Sequence, residues 1–389
     1  MQRRSLIVLA GSLALMLVLG ACGLRPAPGL GATANGATDG PLHADGDPVL
    51  HPIAALADRA GFNPGSGILW MNDADRQREL DAMAATGARW IALDFDWNSI
   101  QGDGPTSFRW DRSTDTVVRE ARARGLKIVA TLAYSPPWAR RAACAGTSHC
   151  LPADPAAYGR FAAAAARRYG ATSTVAEFRG SVRVWQIWNE ANHYPFVQPT
   201  VDVVGYTAML RQAYPAIKAA DVGATVLAGA TSPAGDDPSG RDVAPATFLQ
   251  GIYAYGGGGY FDAFSHHPYT YPDSPLVAAP WNAFTQTARI HQVMVDHGDG
   301  AKKVWGTESG AGTGTGPKSV TATRQAQLLH DYYTGWNGAY RSFTGPLLWF
   351  TVRDASSDTN NVTDNFGILR RDFRAKPARA TLMAVLSGS

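Results

Sequence analysis

The chain has 389 residues, with 35 Lys and Arg against 32 Asp and Glu and a formal charge of +3. No basic stripe runs along it, which sets nucleic acid aside as a partner. Its 11 Trp and 14 Tyr are many for this length. Aromatic faces stack on the apolar C–H surfaces of sugar rings, but they also fill cores, so the count alone decides nothing.

Arg3 and Arg4 precede an apolar run from Ser5 to Leu19, which ends in Leu19-Gly20-Ala21-Cys22. A short cationic, apolar, small-residue pattern of this kind reads as an export signal over residues 1–21. Loss of both arginines with the signal takes the charge to about +1. Leu-x-small-Cys resembles the bacterial lipoprotein cleavage box, and that resemblance implies a lipidated Cys22. It places the mature protein outside the cytoplasm, at the cell surface or in the periplasm, with the lipid as its only membrane contact. Residues 22–50 are rich in Gly, Ala, Pro and Asp and read as a flexible tether.

From residue 51 to 389 strand and helix signals alternate eight times. Strands are expected at Gly67–Met71, Trp90–Phe95, Leu126–Tyr134, Val182–Trp188, Thr225–Ala230, Ala263–His267, Lys303–Thr307 and Pro346–Thr351. Helical periodicity follows each, ending with Pro377–Leu386. Continuous apolar strands separated by amphipathic helices indicate a parallel sheet covered by helices. Eight units point to a single closed (β/α)8 TIM barrel. No Gly-x-Gly-x-x-Gly follows the first strand, which disfavours dinucleotide binding. Cys144 and Cys150 enclose Ala-Gly-Thr-Ser-His, and such a local pair in an exported chain is most simply a disulfide. A metal site with His149 needs more ligands than this loop offers.

In such barrels chemistry sits at the C-terminal strand ends. Here those ends hold Trp97, Tyr134 to Trp138, Trp188-Asn189-Glu190, His266-His267-Pro268-Tyr269, Glu308 and Trp349. Retaining glycoside hydrolysis needs two carboxyls about 5 Å apart, one moving a proton and the other forming a covalent bond to the sugar. Glu190 closes the fourth strand and Glu308 the seventh, so the two face each other across the barrel mouth. Glu190 is expected to have the higher pKa, because its partner's charge favours its protonated form.

Trp188-Asn189-Glu190, Gly306-Thr307-Glu308, His267-Pro268-Tyr269, Trp349 and the tail Asn365-Phe366-Gly367-Ile368-Leu369 with Lys376-Pro377-Ala378 together resemble clan A glycoside hydrolases, closest to families 39 and 5. The resemblance spans about residues 65–385 and implies roles residue by residue. Glu190 is the acid/base, Glu308 the nucleophile and Asn189 the group bonding the sugar 2-hydroxyl. Tyr269 bonds the nucleophile, His267 lines the pocket and Trp349 is the platform beneath the sugar. Trp97 and Trp138 are further candidate sugar-binding residues. His266, on the opposite strand face, is structural, and Asp94 and Asp96 are hydrogen-bonding or sugar-binding groups. The family pattern Arg-x-Asp-x-x-Trp reads here Ala92-Leu93-Asp94-Phe95-Asp96-Trp97, so the cation expected near the nucleophile is missing. Arg89, an odd offset away, points to the other face.

The expected activity is a retaining O-glycoside hydrolase acting on β-linked oligo- or polysaccharide, with neither metal nor organic cofactor, in a monomer. A transglycosylase would use the same residues. A sugar-binding lipoprotein without catalysis is the alternative from another class, encouraged by Ala92.

Overall fold

A computed structural model describes residues 54–388; the expected signal, Cys22 and the tether lie outside the described residues. Eight parallel strands close into a barrel in chain order, with β1 paired to both β2 and β8. They are β1 (Ala60–Asn63), β2 (Trp90–Asp96), β3 (Lys127–Ala133), β4 (Val182–Ile187), β5 (Thr225–Thr231), β6 (Ala263–His266), β7 (Val304–Gly306) and β8 (Thr344–Phe350). One long helix follows each strand: α1 (Asp73–Ala84), α2 (Thr114–Ala123), α3 (Pro155–Tyr169), α4 (Val203–Ala220), α5 (Pro245–Ala254), α6 (Ala283–Asp296), α7 (Ala322–Asn337) and α8 (Pro377–Ser387). The expected (β/α)8 architecture is therefore the observed one.

One strand is displaced from its expected place. Gly67–Met71, read as the first strand, is largely the 3-10 turn Ser66–Trp70, and the strand lies earlier, at Ala60–Asn63. That strand has four residues and contains Gly61, so it carries almost no periodic signal. Gly61 is there because a Cβ would meet the Cβ of Trp90 at 2.5 Å. Trp90 packs edge-on against Trp305, ring centroids 5.1 Å apart, beside the barrel's inner cluster.

That inner cluster consists of Ala92, Val129, Val184, Leu227, Ala263 and Leu348. It fixes which way the six strands that supply it face, since alternate residues share a face. Asp94 and Asp96 follow Ala92 on the inner side, Ser265 and His267 follow Ala263, and Phe350 follows Leu348. The outer faces pack on the helices: Phe95 meets Tyr169 of α3 at 5.1 Å, and His266 reaches the carbonyl of Ala283 in α6. The alanines of α3 are a packing device. Ala157, Ala162, Ala165 and Ala166 are buried, and a Cβ on Gly159 would stand 3.0 Å from Gln212 of α4, so small side chains let these two helices approach closely.

The C-terminal tail is locked by two buried ion pairs. Lys376 Nζ donates to Asp354 Oδ1 at 2.7 Å, Thr313 Oγ1 and the carbonyl of Asn365. Arg353 donates to Glu79 of α1 at 2.9 Å. These bonds seat Phe366 under the barrel mouth, in edge contact with Tyr269, Tyr271 and Phe350.

Candidate active site

Glu190 follows β4 in the left-handed region, φ 44°, as does Trp188 at 65°. Non-glycine residues held there cost on the order of 1–3 kcal/mol each and persist only where the surroundings enforce them. Here the Glu190 N–H donates to Ala230 O at 2.8 Å, the His193 N–H donates to Glu190 O at 2.9 Å, and the Trp188 indole donates to Phe196 O. The turn aims Glu190 at the barrel axis, where its side chain is buried.

Glu308 follows β7. Its Oε1 accepts from Asn63 Nδ2 at 3.1 Å and its Oε2 from the Tyr269 hydroxyl at 2.9 Å. His267, fully buried, stands between the two acids. Its Nδ1 is 2.9 Å from Glu190 Oε1 and 3.7 Å from Glu308 Oε2, and its Nε2 is 3.2 Å from Thr307 Oγ1. One oxygen of each glutamate and a ring nitrogen of His267 all lie within 4.8 Å of one another. These three could also present their donors to a divalent ion, but covalent glycoside chemistry needs only the carboxyls.

Burial pushes both Glu190 and Glu308 up to about 7. For Glu308, His267 lowers the value while Glu190 and Asp94 raise it. Glu190 is the more deeply buried of the two, its side chain 3% exposed against 16% for Glu308. No Lys or Arg among the described residues pairs with either. Ala92 lies in the inner cluster, and Arg89 is exposed, so neither supplies the missing cation. Burial lowers the His267 pKa, and the charge of Glu308 works against that shift.

The remaining expected residues divide. Asn189 Nδ2 donates to the Tyr134 hydroxyl at 3.3 Å, beside Glu190 at the mouth. Cys144 and Cys150 form the expected disulfide, with Cα atoms 5.4 Å apart. Its loop packs on the site: the Ser135 N–H donates to Ser148 O, and the His149 ring lies 4.3 Å from that of Tyr134. Trp138 is partly buried, and its indole donates to Gln101 O at 2.7 Å, so it anchors its loop. Trp97 offers no accessible face. It stacks on Phe161 of α3 and donates to Gln101 Oε1, because it follows the strand end on the helix side. Trp349 is likewise fully buried. It alternates with the inward Leu348 and Phe350 and so points into the helix layer, against Tyr332 and the carbonyl of Phe366. Both tryptophans are core residues, and Phe350 takes the inward place at the end of β8.

Sequence reasoning missed Asn63, Phe350 and the part played by Tyr134. Tyr134 was visible at a strand end. Asn63 was hidden by the misplaced first strand, and Phe350 by the more conspicuous tryptophan beside it.

No protein-family model matches the chain, and no curated protein matches it by sequence. Among solved structures it is similar to (β/α)8-barrel glycoside hydrolases. One is a family 39 glycoside hydrolase from the gut symbiont Bacteroides cellulosilyticus WH2, with 18% identity, 85% of this chain and 64% of that one covered, and a TM-score of 0.66. A monomeric β-xylosidase from Caulobacter crescentus CB15 aligns at 17% identity over 84% of this chain and 67% of that one, TM-score 0.61. A GH5_18 protein from Streptomyces cattleya aligns at 16% identity over 84% and 79%, TM-score 0.61. At these identities the likeness is one of fold, and the chain spans less than two thirds of the family 39 protein's length.

Proposed function

We propose that the protein is a retaining O-glycoside hydrolase acting on β-linked oligo- or polysaccharide, with Glu308 as nucleophile and Glu190 as acid/base. The observation carrying the reading is the approach of the two carboxyls, whose nearest oxygens lie within 4.8 Å with His267 between them. Retaining pairs stand about 5 Å apart, whereas inverting pairs leave room for water at about 6.5–9.5 Å.

In the first step ionised Glu308 attacks the anomeric carbon. The bond to the leaving oxygen breaks, and Glu190 gives that oxygen its proton. In the second step water attacks the glycosyl ester, Glu190 takes the water's proton, and Glu308 leaves as carboxylate. Esterification removes the charge on Glu308, which turns Glu190 from acid into base. Tyr269 and Asn63 hold the two oxygens of Glu308, and Asn189 is placed to bond the sugar 2-hydroxyl. Fold likeness to glycoside hydrolases of families 39 and 5 supports the reading.

The test compares two variants on a substrate the wild type cleaves. Glu308→Ala should abolish turnover, with azide rescue giving inverted product. Glu190→Ala should spare the first step for good leaving groups, and azide should give retained product. Near-normal turnover of a poor-leaving-group polysaccharide by either variant refutes the mechanism.

The sequence pattern ending at Cys22 further supports an exported, lipid-anchored protein, which we take to be a monomer. Two acyl chains suffice for stable anchoring where one is marginal. Cys22→Ser should release the protein or leave the precursor uncut; a membrane-free mature form in both versions refutes the anchor.

A further inference from the structure

The two proposed carboxyls are held in different ways. Glu308 is gripped by its oxygens, one bonded by Asn63 and the other by Tyr269. Glu190 has a hydrogen bond at Oε1, with His267, while its buried Oε2 has none of normal geometry. Ser232, just past β5, lies beside the carboxyl and lowers its pKa. The position of this acid therefore depends chiefly on the backbone that carries it.

That backbone is strained. Among the described residues five other than glycine have positive φ, and three of them, Trp188, Glu190 and Ala230, meet here. Ala230 sits where β5 shifts register against β6, and its carbonyl accepts the Glu190 N–H at 2.8 Å. The turn closes with the His193 N–H on Glu190 O at 2.9 Å. A left-handed residue relaxes unless its surroundings hold it.

What holds the turn is the segment between β5 and α5, residues 232–243. The buried amide of Asn192 donates to Ser232 O at 2.9 Å and Val243 O at 2.7 Å, and accepts from the Ser232 N–H at 2.8 Å. His193 and Asp242 form an antiparallel bridge. The His193 ring donates from Nδ1 to Asp242 Oδ1 at 2.5 Å, and the same oxygen accepts the Tyr194 N–H at 3.4 Å. The segment is itself fixed, since the Asp237 N–H donates to Asp242 O at 2.9 Å and Asp236 Oδ1 accepts the Ala244 N–H at the start of α5. The His193–Asp242 pair is partly exposed, so it adds little to the stability of the fold. It is attached, however, to the very residue that closes the Glu190 turn.

On the reading of Glu190 as acid/base, we infer that His193 and Asp242 are positioning residues for that acid: their bond ties the turn carrying Glu190 to the β5–α5 segment and so sets where the carboxyl meets the leaving oxygen.

The experiment compares kcat/KM, which covers the steps through formation of the glycosyl-enzyme, for dinitrophenyl and phenyl β-glycosides of glucose, xylose and mannose. Dinitrophenolate leaves without a proton, whereas the phenyl glycoside relies on the general acid. A misplacement of about 1 Å costs on the order of 10²-fold. Asp242→Ala and His193→Ala should therefore each lose about tenfold or more on the phenyl glycoside and less than about twofold on the dinitrophenyl one. The double variant should lose no more than either single one, because the two side chains make one bond. Asp242→Asn keeps the accepting oxygen and should restore the phenyl rate. Equal losses on both glycosides mark a merely structural role and overturn the inference. So does Asp242→Asn falling as far as Asp242→Ala, which would assign the effect to the charge of Asp242 on Glu190. Glu190→Ala, measured alongside, separates the two readings. If it loses the phenyl glycoside selectively and Asp242→Ala does not, the acid/base stands and the positioning pair falls. If Glu190→Ala spares the phenyl glycoside, the acid/base reading falls and the inference with it. Where the wild type cleaves none of these glycosides, crystal structures of the wild type and Asp242→Ala decide: the contact between Glu190 Oε1 and His267 Nδ1 should be lost in the variant, and an unmoved Glu190 overturns the inference.

Discussion

The ring Nδ1 of His267 lies 2.9 Å from Oε1 of Glu190, and both side chains are sealed from solvent. The same ring also lowers the pKa of Glu308. The imidazole therefore positions the proposed acid, and its positive form favours the ionised state of the proposed nucleophile.

The pH profile follows from these groups. On the proposed mechanism turnover requires Glu308 ionised and Glu190 protonated, and burial raises both to about 7. The profile of kcat/KM should be a narrow bell centred near neutrality, since its limbs report the free enzyme's acid and base. His267→Phe removes an interaction that lowers the Glu308 pKa, so the acid limb should move to higher pH and kcat should fall. A pH–rate series on both proteins checks this; an unmoved acid limb contradicts the role assigned to His267.

Stability should move the opposite way from activity. The folded pKa of Glu308 is raised from 4.5 to about 7, so between those values the folded state binds more protons than the unfolded one. Stability contributed by this group is present at low pH and is lost as pH rises through that window. Glu308→Gln should therefore raise Tm at pH 8 relative to wild type, and the gain should vanish at pH 4. Thermal melts at both pH values decide it; a stabilisation independent of pH would refute the electrostatic cause.

Trp349 and Phe350 should answer differently to substitution. Trp349→Phe loses the indole bond to Phe366 O and should cost about 1–3 kcal/mol with KM unchanged, as for a buried acceptor left unpaired. Phe350→Leu keeps an apolar side chain at the inner face and should cost less than about 1.5 kcal/mol, while KM rises through loss of the ring. Denaturant melts paired with steady-state kinetics separate the two, and a KM effect confined to Trp349 would reverse the assignment.

The disulfide loop should affect the site more than the fold. Closing so short a loop stabilises by at most about 2–3 kcal/mol. The loop also braces Tyr134, which bonds Asn189. The double variant Cys144→Ser, Cys150→Ser should melt at a modestly lower temperature and show a disproportionate rise in KM. Unchanged KM alongside a large drop in Tm would contradict this.

Alternation along the chain determined much of the protein by itself. Continuous apolar strands and periodic helices specified a parallel closed sheet, because only that arrangement buries both strand faces. The ends of β4 and β7 named Glu190 and Glu308, because barrel chemistry gathers at strand ends, and the spacing of Cys144 and Cys150 named their bond. Pairing and facing were decided only in three dimensions. A four-residue strand with a glycine inside it leaves no periodic trace, so Asn63 gained its place only through register with β2 and β8. Trp349 stood out as a sugar platform in the sequence, yet a strand turns each successive side chain to the opposite face. The inner position of Leu348 therefore sends Trp349 into the helix layer and brings Phe350 to the mouth. Burial, which raises Glu190, Glu308 and Asp94 together, is likewise a property of the closed barrel that no local stretch of sequence contains.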